Sequence, residues 1–246
     1  MSQVIVVASG KGGTGKTTVS TSLALALVRK QNKVLVIDCD SGMRGTDMML
    51  GITDRLVYDL SDVVSGTCDL DDALYECTGA SGLFTLAAPV SAEDEISPQV
   101  MKQFITNHKN DYDYVIVDAP AGVGSGFEGA AIAADRALIV VNTEPTSIRG
   151  GVNIREKLTQ MGITDVRLVI NRFDKERFIA TRLYDDLDQV IDTVGVRLIG
   201  LVPEDVRISA LAQRGLLATN WASSSVVFDS IAQRLTGDNI PLTIKL

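Results

Sequence analysis

The nine residues Gly10-Lys11-Gly12-Gly13-Thr14-Gly15-Lys16-Thr17-Thr18 form the most informative stretch of this sequence. They satisfy the pattern G-x-x-x-x-G-K-[ST], in which Gly10 and Gly15 are the outer glycines and Lys16-Thr17 closes the motif. Glycine-rich backbone of this kind turns its N–H groups towards a bound phosphate, and the lysine adds positive charge. The stretch therefore predicts a phosphate-binding loop.

The residues on either side of the loop provide the context that the motif requires. Val4-Ile5-Val6-Val7-Ala8 is an unbroken apolar run rich in β-branched residues, which is typical of a strand buried on both faces of a parallel sheet. After the loop, Val19, Leu23 and Leu27 recur every four residues and predict a helix running to about Lys30. A strand, a glycine loop and a helix in this order indicate a nucleotide site.

Size and composition favour one globular unit. The chain has 246 residues, of which 46% are apolar, and we expect one domain over residues 1–246. The first strand begins by residue 4, which leaves no room for a signal peptide, and no run reaches the roughly 20 apolar residues of a membrane span. Cys39, Cys68 and Cys77 lack C-x-x-C spacing and indicate reduced thiols in a cytosolic protein.

The charge balance argues against one class of partner. The chain carries 23 basic and 31 acidic residues, for a formal net charge of −8. Broad binding to a nucleic-acid backbone needs a clustered excess of Lys and Arg. No nucleic-acid partner is therefore expected.

Apolar runs alternate with helical patterns along nearly the whole chain. Further candidate strands lie at residues 34–37, 83–86, 114–117, 137–141, 168–170 and 198–202, and candidate helices at residues 98–105 and 148–161. This alternation predicts an α/β protein in which a mostly parallel sheet carries helices on both faces. Together with the glycine loop it indicates the three-layer fold of P-loop NTPases. Ligands of such sheets bind at the carboxyl ends of the strands.

Acidic side chains stand at those strand ends. Asp38 and Asp40 follow the second strand, and Asp118 follows the strand at residues 114–117. A carboxylate after a buried strand is the Walker-B arrangement, which holds Mg²⁺ opposite the loop hydroxyl of Thr17, usually through water. Together with the loop, the three carboxylates predict a magnesium-dependent hydrolytic site.

Three segments together resemble the deviant Walker-A ATPases, and among them most closely the MinD family of septum-site-determining ATPases. The segments are residues 10–18 with the extra Lys11, Asp38-Cys39-Asp40-Ser41-Gly42-Met43-Arg44-Gly45, and Asp118-Ala119-Pro120-Ala121-Gly122. The similarity runs from residue 2 to about residue 246 and includes Asn171-Arg172-Phe173 and Val202-Pro203-Glu204-Asp205.

The resemblance implies ATP and Mg²⁺ as cofactors, with residues 10–18 around the nucleotide. Three residues would be catalytic. Lys16 would contact the β- and γ-phosphates, Lys11 would reach across a dimer interface to the phosphates of the partner's ATP, and Asp40 would orient the attacking water. A lysine supplied in trans can neutralise transition-state charge as an arginine finger does.

The remaining implied residues form a magnesium set and an adenine set. The magnesium set is Thr17, Asp38 and Asp118, with the two carboxylates acting through water. The adenine set is Asn171 with Pro203 and Asp205 nearby, which would favour ATP over GTP.

The function implied by the resemblance is a switch. Binding of Mg-ATP would drive formation of a homodimer that recruits partners, and slow hydrolysis would reset it, so that the division septum is correctly placed. The implied partners are a MinC-like division inhibitor or a MinE-like activator.

Alternative functions stay open at this point. The same sequence would suit a MinD relative that positions flagella or pili. A ParA-type partition ATPase would bind DNA, against which the net charge of −8 and the lack of a basic C-terminal helix both count. An iron–sulfur carrier needs thiolates placed for a cluster, whereas Cys68 and Cys77 lie nine residues apart without a matching partner.

The C-terminal segment departs from the family. MinD proteins normally finish with a basic amphipathic helix that inserts into anionic membranes, and such anchors need apolar residues opposite Lys and Arg. In residues 234–246, Asp238 and Pro241 interrupt any helix, and only Arg234 and Lys245 are basic. We expect a cytoplasmic protein that reaches the inner face of the cell membrane only through a partner, or a sequence from which an anchor has been removed.

Overall fold

The computed structural model describes residues 2–91, 96–216 and 225–242. Within these ranges the strands are β1 (Gln3–Ala8), β2 (Val34–Asp38), β3 (Tyr75–Glu76), β4 (Leu83–Leu86), β5 (Tyr114–Asp118), β6 (Arg136–Val141), β7 (Val166–Phe173) and β8 (Leu198–Pro203). The helices are α1 (Lys16–Arg29), α2 (Gly45–Leu50), α3 (Leu60–Ser65), α4 (Leu70–Ala73), α5 (Pro98–His108), α6 (Ser125–Ala131), α7 (Pro145–Gln160), α8 (Lys175–Thr181), α9 (Leu187–Val194), α10 (Val206–Gln213) and α11 (Ser225–Leu235).

The strands form one sheet in the order β3-β4-β2-β5-β1-β6-β7-β8. All neighbouring pairs are parallel except β3 and β4, which run antiparallel at the edge. The strand that leads into the glycine loop, β1, lies in the interior of the sheet between β5 and β6. This position places the loop at the middle of the carboxyl edge, where ligands of parallel sheets bind.

Two hydrophobic cores cover the two faces of the sheet. Because side chains alternate along a strand, Val4 and Val6 of β1 join one core, whereas Ile5 and Val7 join the other. The first core is packed under α3, α5, α6, α7 and α9, and the second under α1, α2, α10 and α11. The predicted three-layer α/β fold is confirmed.

Most predicted elements are present with small shifts of their ends. The helix predicted at residues 98–105 is α5, and its N-cap Ser97 accepts a hydrogen bond from the Val100 amide at 3.4 Å. Helix α7 begins at Pro145, three residues before the predicted start at residue 148, because proline fits the first helical turn. The prediction missed β3, since two residues carry no readable periodicity.

The two ends of strand β7 are the clearest difference from the prediction. The strand predicted at residues 168–170 extends from Val166 to Phe173, so Asn171 lies within it instead of after it.

The C-terminal segment is helical only in its first part. Helix α11 ends at Leu235, before Asp238 and Pro241, whereas residues 243–246 lie outside the described ranges. Among the described residues, no helix is long and apolar enough to cross a membrane.

Candidate functional site

The parallel register of the central strands brings the loop and two carboxylates to one edge. Asp118 of β5 is the register partner of Val7 on β1 and of Asp38 on β2. Both aspartates are the last residues of their strands, and both are fully buried. The predicted meeting of Asp38 and Asp118 beside the loop is therefore present in the structure.

Gly15 gives the loop its turn into α1. It is the N-cap of that helix and has φ 88°, a left-handed conformation that favours glycine. A Cβ atom at this position would lie 2.3 Å from Nδ2 of Asn171. Because Gly15 has no side chain to cap the helix, the first N–H groups of α1 remain for a ligand, and the helix dipole makes that ligand an anion.

The start of the loop needs glycine for a different reason. A Cβ atom on Gly10 would lie 2.3 Å from the backbone of Gly150 in α7. The contact is mutual, since a Cβ on Gly150 would lie 2.9 Å from Cα of Gly10. Helix α7 therefore fixes where the loop leaves β1.

Two hydroxyl groups from the first turns of α1 bind the Asp118 carboxylate. Thr17 Oγ1 donates to Oδ2 at 2.6 Å, and Ser20 Oγ donates to Oδ1 at 2.8 Å. Burial, and then the negative charge of Asp38, raises the pKa of Asp118 to about 7, against the opposing effect of the Thr17 hydrogen bond. A cation beside this carboxylate would remove that electrostatic penalty.

Asp38 anchors the segment that follows β2. It accepts hydrogen bonds from the Asp40 amide at 2.9 Å and from the Thr46 amide and hydroxyl at 3.1 and 2.8 Å. Burial raises the pKa of Asp38 despite these three bonds. The segment carrying Asp40 is thereby tied to the carboxyl edge of the sheet.

Lys16 and Asp40 face each other across the loop. Lys16 Nζ lies 4.0 Å from Oδ2 of Asp40, and the side chains are 6% and 26% exposed, respectively. Asp40, which is expected to orient water, is thus the more exposed of the two side chains. Lys16, which is expected to contact the phosphates, is the more buried. The structure brings these two predicted catalytic residues together.

The magnesium set fits a hydrated ion better than an all-protein cage. Its donors are the Thr17 hydroxyl and the oxygens of Asp38 and Asp118, which are hard ligands of the kind that Mg²⁺ prefers. Across the described parts of the chain, no group of three or more His, Cys, Asp or Glu residues could hold a metal by itself. Mg²⁺ usually keeps several waters and binds through one or two carboxylates plus substrate phosphates, which matches this donor set.

The second loop lysine, Lys11, pairs with Glu144, which immediately precedes α7. Its Nζ contacts Oε2 of Glu144 at 2.6 Å, and the two side chains are 43% and 39% exposed. Arg177 lies 3.7 Å from the other oxygen of Glu144. The hydrogen bond from Lys11 lowers the pKa of Glu144.

The adenine set occupies the ends of β7 and β8. Asn171 is buried, and its Nδ2 donates to the carbonyl oxygen of Thr14 at 2.8 Å. Pro203 ends β8 beside Phe173 of β7, and Asp205 caps α10 by accepting from the Arg207 amide at 2.9 Å. The structure thus brings Asn171 to the loop, whereas Asp205 is joined to α10.

Several residues at the site were not identified from sequence. Ser20 and Thr46 bind the two buried aspartates, and Glu144, Gly150 and Arg172 contact the loop. Ser20 lies three residues after Thr17 on a helix, so its position on the same face was a readable signal. Thr46 lies eight residues after Asp38, in a segment without a periodic pattern. The contacts of Glu144, Gly150 and Arg172 join residues far apart in sequence, so no local pattern indicated them.

A glycine loop between a central parallel strand and a helix, with two buried carboxylates beside it, defines a P-loop nucleoside triphosphatase. A family model described as an AAA domain matches residues 2–165. The septum site-determining protein MinD of Synechocystis sp. is 34% identical over 245 residues, with 98% of this chain and 92% of the relative covered. The chain belongs to the MinD family of septum site-determining proteins.

Two solved structures agree with this assignment. The MinC:MinD cell division protein complex of Aquifex aeolicus matches with a TM-score of 0.89 at 34% identity, covering 98% of each chain. The septum site-determining protein MinD of Pyrococcus horikoshii, complexed with Mg-ADP, matches with a TM-score of 0.85 at 26% identity, covering 96% of this chain and 97% of that one. The comparisons favour the predicted MinD family over the alternatives left open by the sequence.

Proposed function

We propose that this protein is an ATP-driven dimerisation switch that acts in placement of the division septum, with residues 1–246 working as one ATPase domain. The observation that carries the proposal is the placement of the two loop lysines. Lys16 is buried and faces Asp40, whereas Lys11 lies at the surface on Glu144. These positions support the inference that one subunit supplies only part of the cationic set and that a second subunit completes it.

The phosphates of ATP would bind to the backbone N–H groups of the glycine loop and the first turn of α1. Residues 10–18 supply these groups, and Lys16 would neutralise the β- and γ-phosphates. Thr17, Asp38 and Asp118 would hold Mg²⁺, which when bound neutralises charge on the phosphate oxygens. The closeness of Asp38 and Asp118, both buried, supports this assignment.

Hydrolysis requires a positioned water molecule and compensation of the developing charge. Asp40 would orient the water, since it is the least buried of the three aspartates and is tied to Asp38 through its amide. Lys11 of a second subunit would act on the equatorial oxygens in trans. Because the groups needed for hydrolysis would come from two subunits, turnover would require a dimer.

The base would be read at the ends of β7 and β8. Asn171, Pro203 and Asp205 lie on or just after these neighbouring strands, at the same edge as the loop. We assign them to adenine, which favours ATP over GTP. The P. horikoshii relative binds Mg-ADP, which supports an adenine nucleotide here.

The partners follow from the family. The A. aeolicus relative forms a complex with MinC. We assign a MinC-like division inhibitor or a MinE-like activator to this chain, and propose that it acts in the cytoplasm and at the inner face of the cell membrane, which a partner could help it to reach. Recruitment would depend on the ATP-bound dimer.

The concentration dependence of hydrolysis tests the switch. Phosphate release per subunit should rise with protein concentration for the wild type, because the dimer is the active form. Lys11→Ala should lower the rate by at least roughly tenfold at every concentration. Lys102→Ala, which removes an exposed lysine of α5, is the matched control and should leave the rate unchanged. Concentration-independent turnover that Lys11→Ala leaves intact would overturn the proposal.

A further inference from the structure

We propose that Asn171 and Arg172, two consecutive residues near the end of β7, position the glycine loop by binding the carbonyl groups of Thr14 and Gly13. This inference rests on the proposed function in one respect, namely that the loop binds phosphate. It gives Asn171 a role that does not depend on the base. It also gives Arg172 a role in the binding of nucleotide.

The contact made by Asn171 is buried and short. Its Nδ2 donates to the Thr14 carbonyl oxygen at 2.8 Å, and both residues are at most 3% exposed. A Cβ atom on Gly15 would lie only 2.3 Å from the same nitrogen, which is too close for any residue other than glycine in this arrangement. The amide of Asn171 therefore packs directly against the turn that starts α1.

Arg172 makes the adjacent contact from a strained backbone. Its φ is 55°, in the left-handed region that residues other than glycine adopt at an energetic cost. Its NH1 group donates to the carbonyl oxygen of Gly13 at 3.3 Å, and its Nε donates to Glu204 Oε2 at 2.8 Å. Glu204 thus holds the guanidinium while it reaches the loop.

An irregularity in β7 explains how two consecutive residues reach one loop. In a regular strand, neighbouring side chains point to opposite faces of the sheet. The pairing of β7 with β8 shifts register between Ile170 and Phe173, and the positive φ of Arg172 lies within that shift. Irregularities of this kind re-aim side chains and are common beside functional sites.

The two contacts have a direct consequence for anion binding. A phosphate-binding loop presents N–H groups inward, so its carbonyl dipoles must be held away from the anion. Asn171 and Arg172 bind the carbonyl groups of two consecutive loop residues, Thr14 and Gly13. They thereby stabilise the conformation in which the loop N–H groups converge on phosphate.

Binding of a base-free ligand separates loop positioning from recognition of adenine. Equilibrium titrations with inorganic tripolyphosphate and with ATP, both with Mg²⁺, would compare wild type, Asn171→Ala and Arg172→Gly. Glycine at position 172 removes the guanidinium while tolerating the positive φ. Arg182→Gly is the matched control, because Arg182 is exposed, has φ 49° and is the C-cap residue of α8.

We expect Arg172→Gly to weaken the binding of both ligands by the same factor, roughly threefold to tenfold. We expect Asn171→Ala to weaken the binding of tripolyphosphate by roughly tenfold or more. Arg182→Gly should change neither affinity. If both variants lose affinity for ATP but keep their affinity for tripolyphosphate, the two residues recognise the base and do not position the loop. If both variants bind both ligands as the wild type does, the proposed loop-positioning role is also wrong. Failure of the wild type to bind either ligand would instead contradict the proposed function.

Discussion

Lys11 Nζ lies 2.6 Å from Oε2 of Glu144, the N-cap residue of α7 and a residue 133 positions away in the chain. The lysine expected to act on a partner's nucleotide is thus already paired within its own subunit. Both side chains are about two-fifths exposed, so water and salt weaken the pair and the lysine can leave it at small cost. Arg177 remains near Glu144 to compensate its charge after Lys11 departs.

Glu144→Gln should promote ATP-dependent dimerisation. The substitution removes the charge that competes for Lys11, and each dimer contains two such pairs. Dimer affinity with a non-hydrolysable ATP analogue should rise roughly twofold to tenfold, as measured by sedimentation velocity. Glu156→Gln, at an exposed position of α7 that pairs with Arg155, is the control and should leave the affinity unchanged. An unchanged or weaker dimer in Glu144→Gln would show that the intramolecular pair does not restrain Lys11.

Gly150→Ala should displace the glycine loop, although residue 150 lies far from the loop in the sequence. The new methyl group would lie 2.9 Å from Cα of Gly10. This neighbour is a backbone atom, so relief of the clash requires the start of the glycine loop to shift. We expect kcat/KM for ATP to fall roughly tenfold to a hundredfold, measured by steady-state phosphate release. Gly129→Ala in α6 is the control, because its nearest neighbour would be an ordinary 3.5 Å away. Wild-type kinetics in Gly150→Ala would contradict the close approach of α7 to the loop.

Asp118→Asn should abolish Mg²⁺-dependent hydrolysis yet stabilise the protein free of metal and nucleotide at alkaline pH. The folded-state pKa of Asp118 is about 7, above the roughly 3.9 of an unfolded aspartate, so its ionisation costs stability. The cost grows as pH rises from about 4 to about 7 and is complete above that range. Thermal unfolding in EDTA should therefore show the variant above the wild type at pH 8, with the difference shrinking towards pH 5.

Asp192→Asn provides the comparison for this pH series, because Asp192 is exposed on α9. Its unfolding temperature should follow that of the wild type at both pH values. The quantity to compare is the unfolding temperature of Asp118→Asn minus that of the wild type. If this difference is smaller at pH 8 than at pH 5, the prediction has the wrong sign. Retention of Mg²⁺-dependent hydrolysis would remove Asp118 from the magnesium set.

The sequence predicted the parts of the site that depend on local pattern and on strand order. Residues 10–18 carry a motif, and Asp38 and Asp118 follow apolar runs, so their meeting at one edge follows from parallel pairing. The contacts of Glu144 and Gly150 with the loop depend instead on where α7 packs, which no local pattern records. The same holds for Arg172, whose position follows from a shift in strand register.

The ATP-driven dimerisation switch is tested most directly by the mass in solution of wild type and Lys11→Ala, measured by light scattering with Mg-ADP and with a non-hydrolysable ATP analogue plus Mg²⁺. We expect monomers with ADP and dimers with the analogue for the wild type and for the Lys102→Ala control. We expect Lys11→Ala to bind the analogue and to stay monomeric. Dimers of Lys11→Ala at the wild-type level, or a wild type that stays monomeric when saturated with the analogue, would contradict the switch.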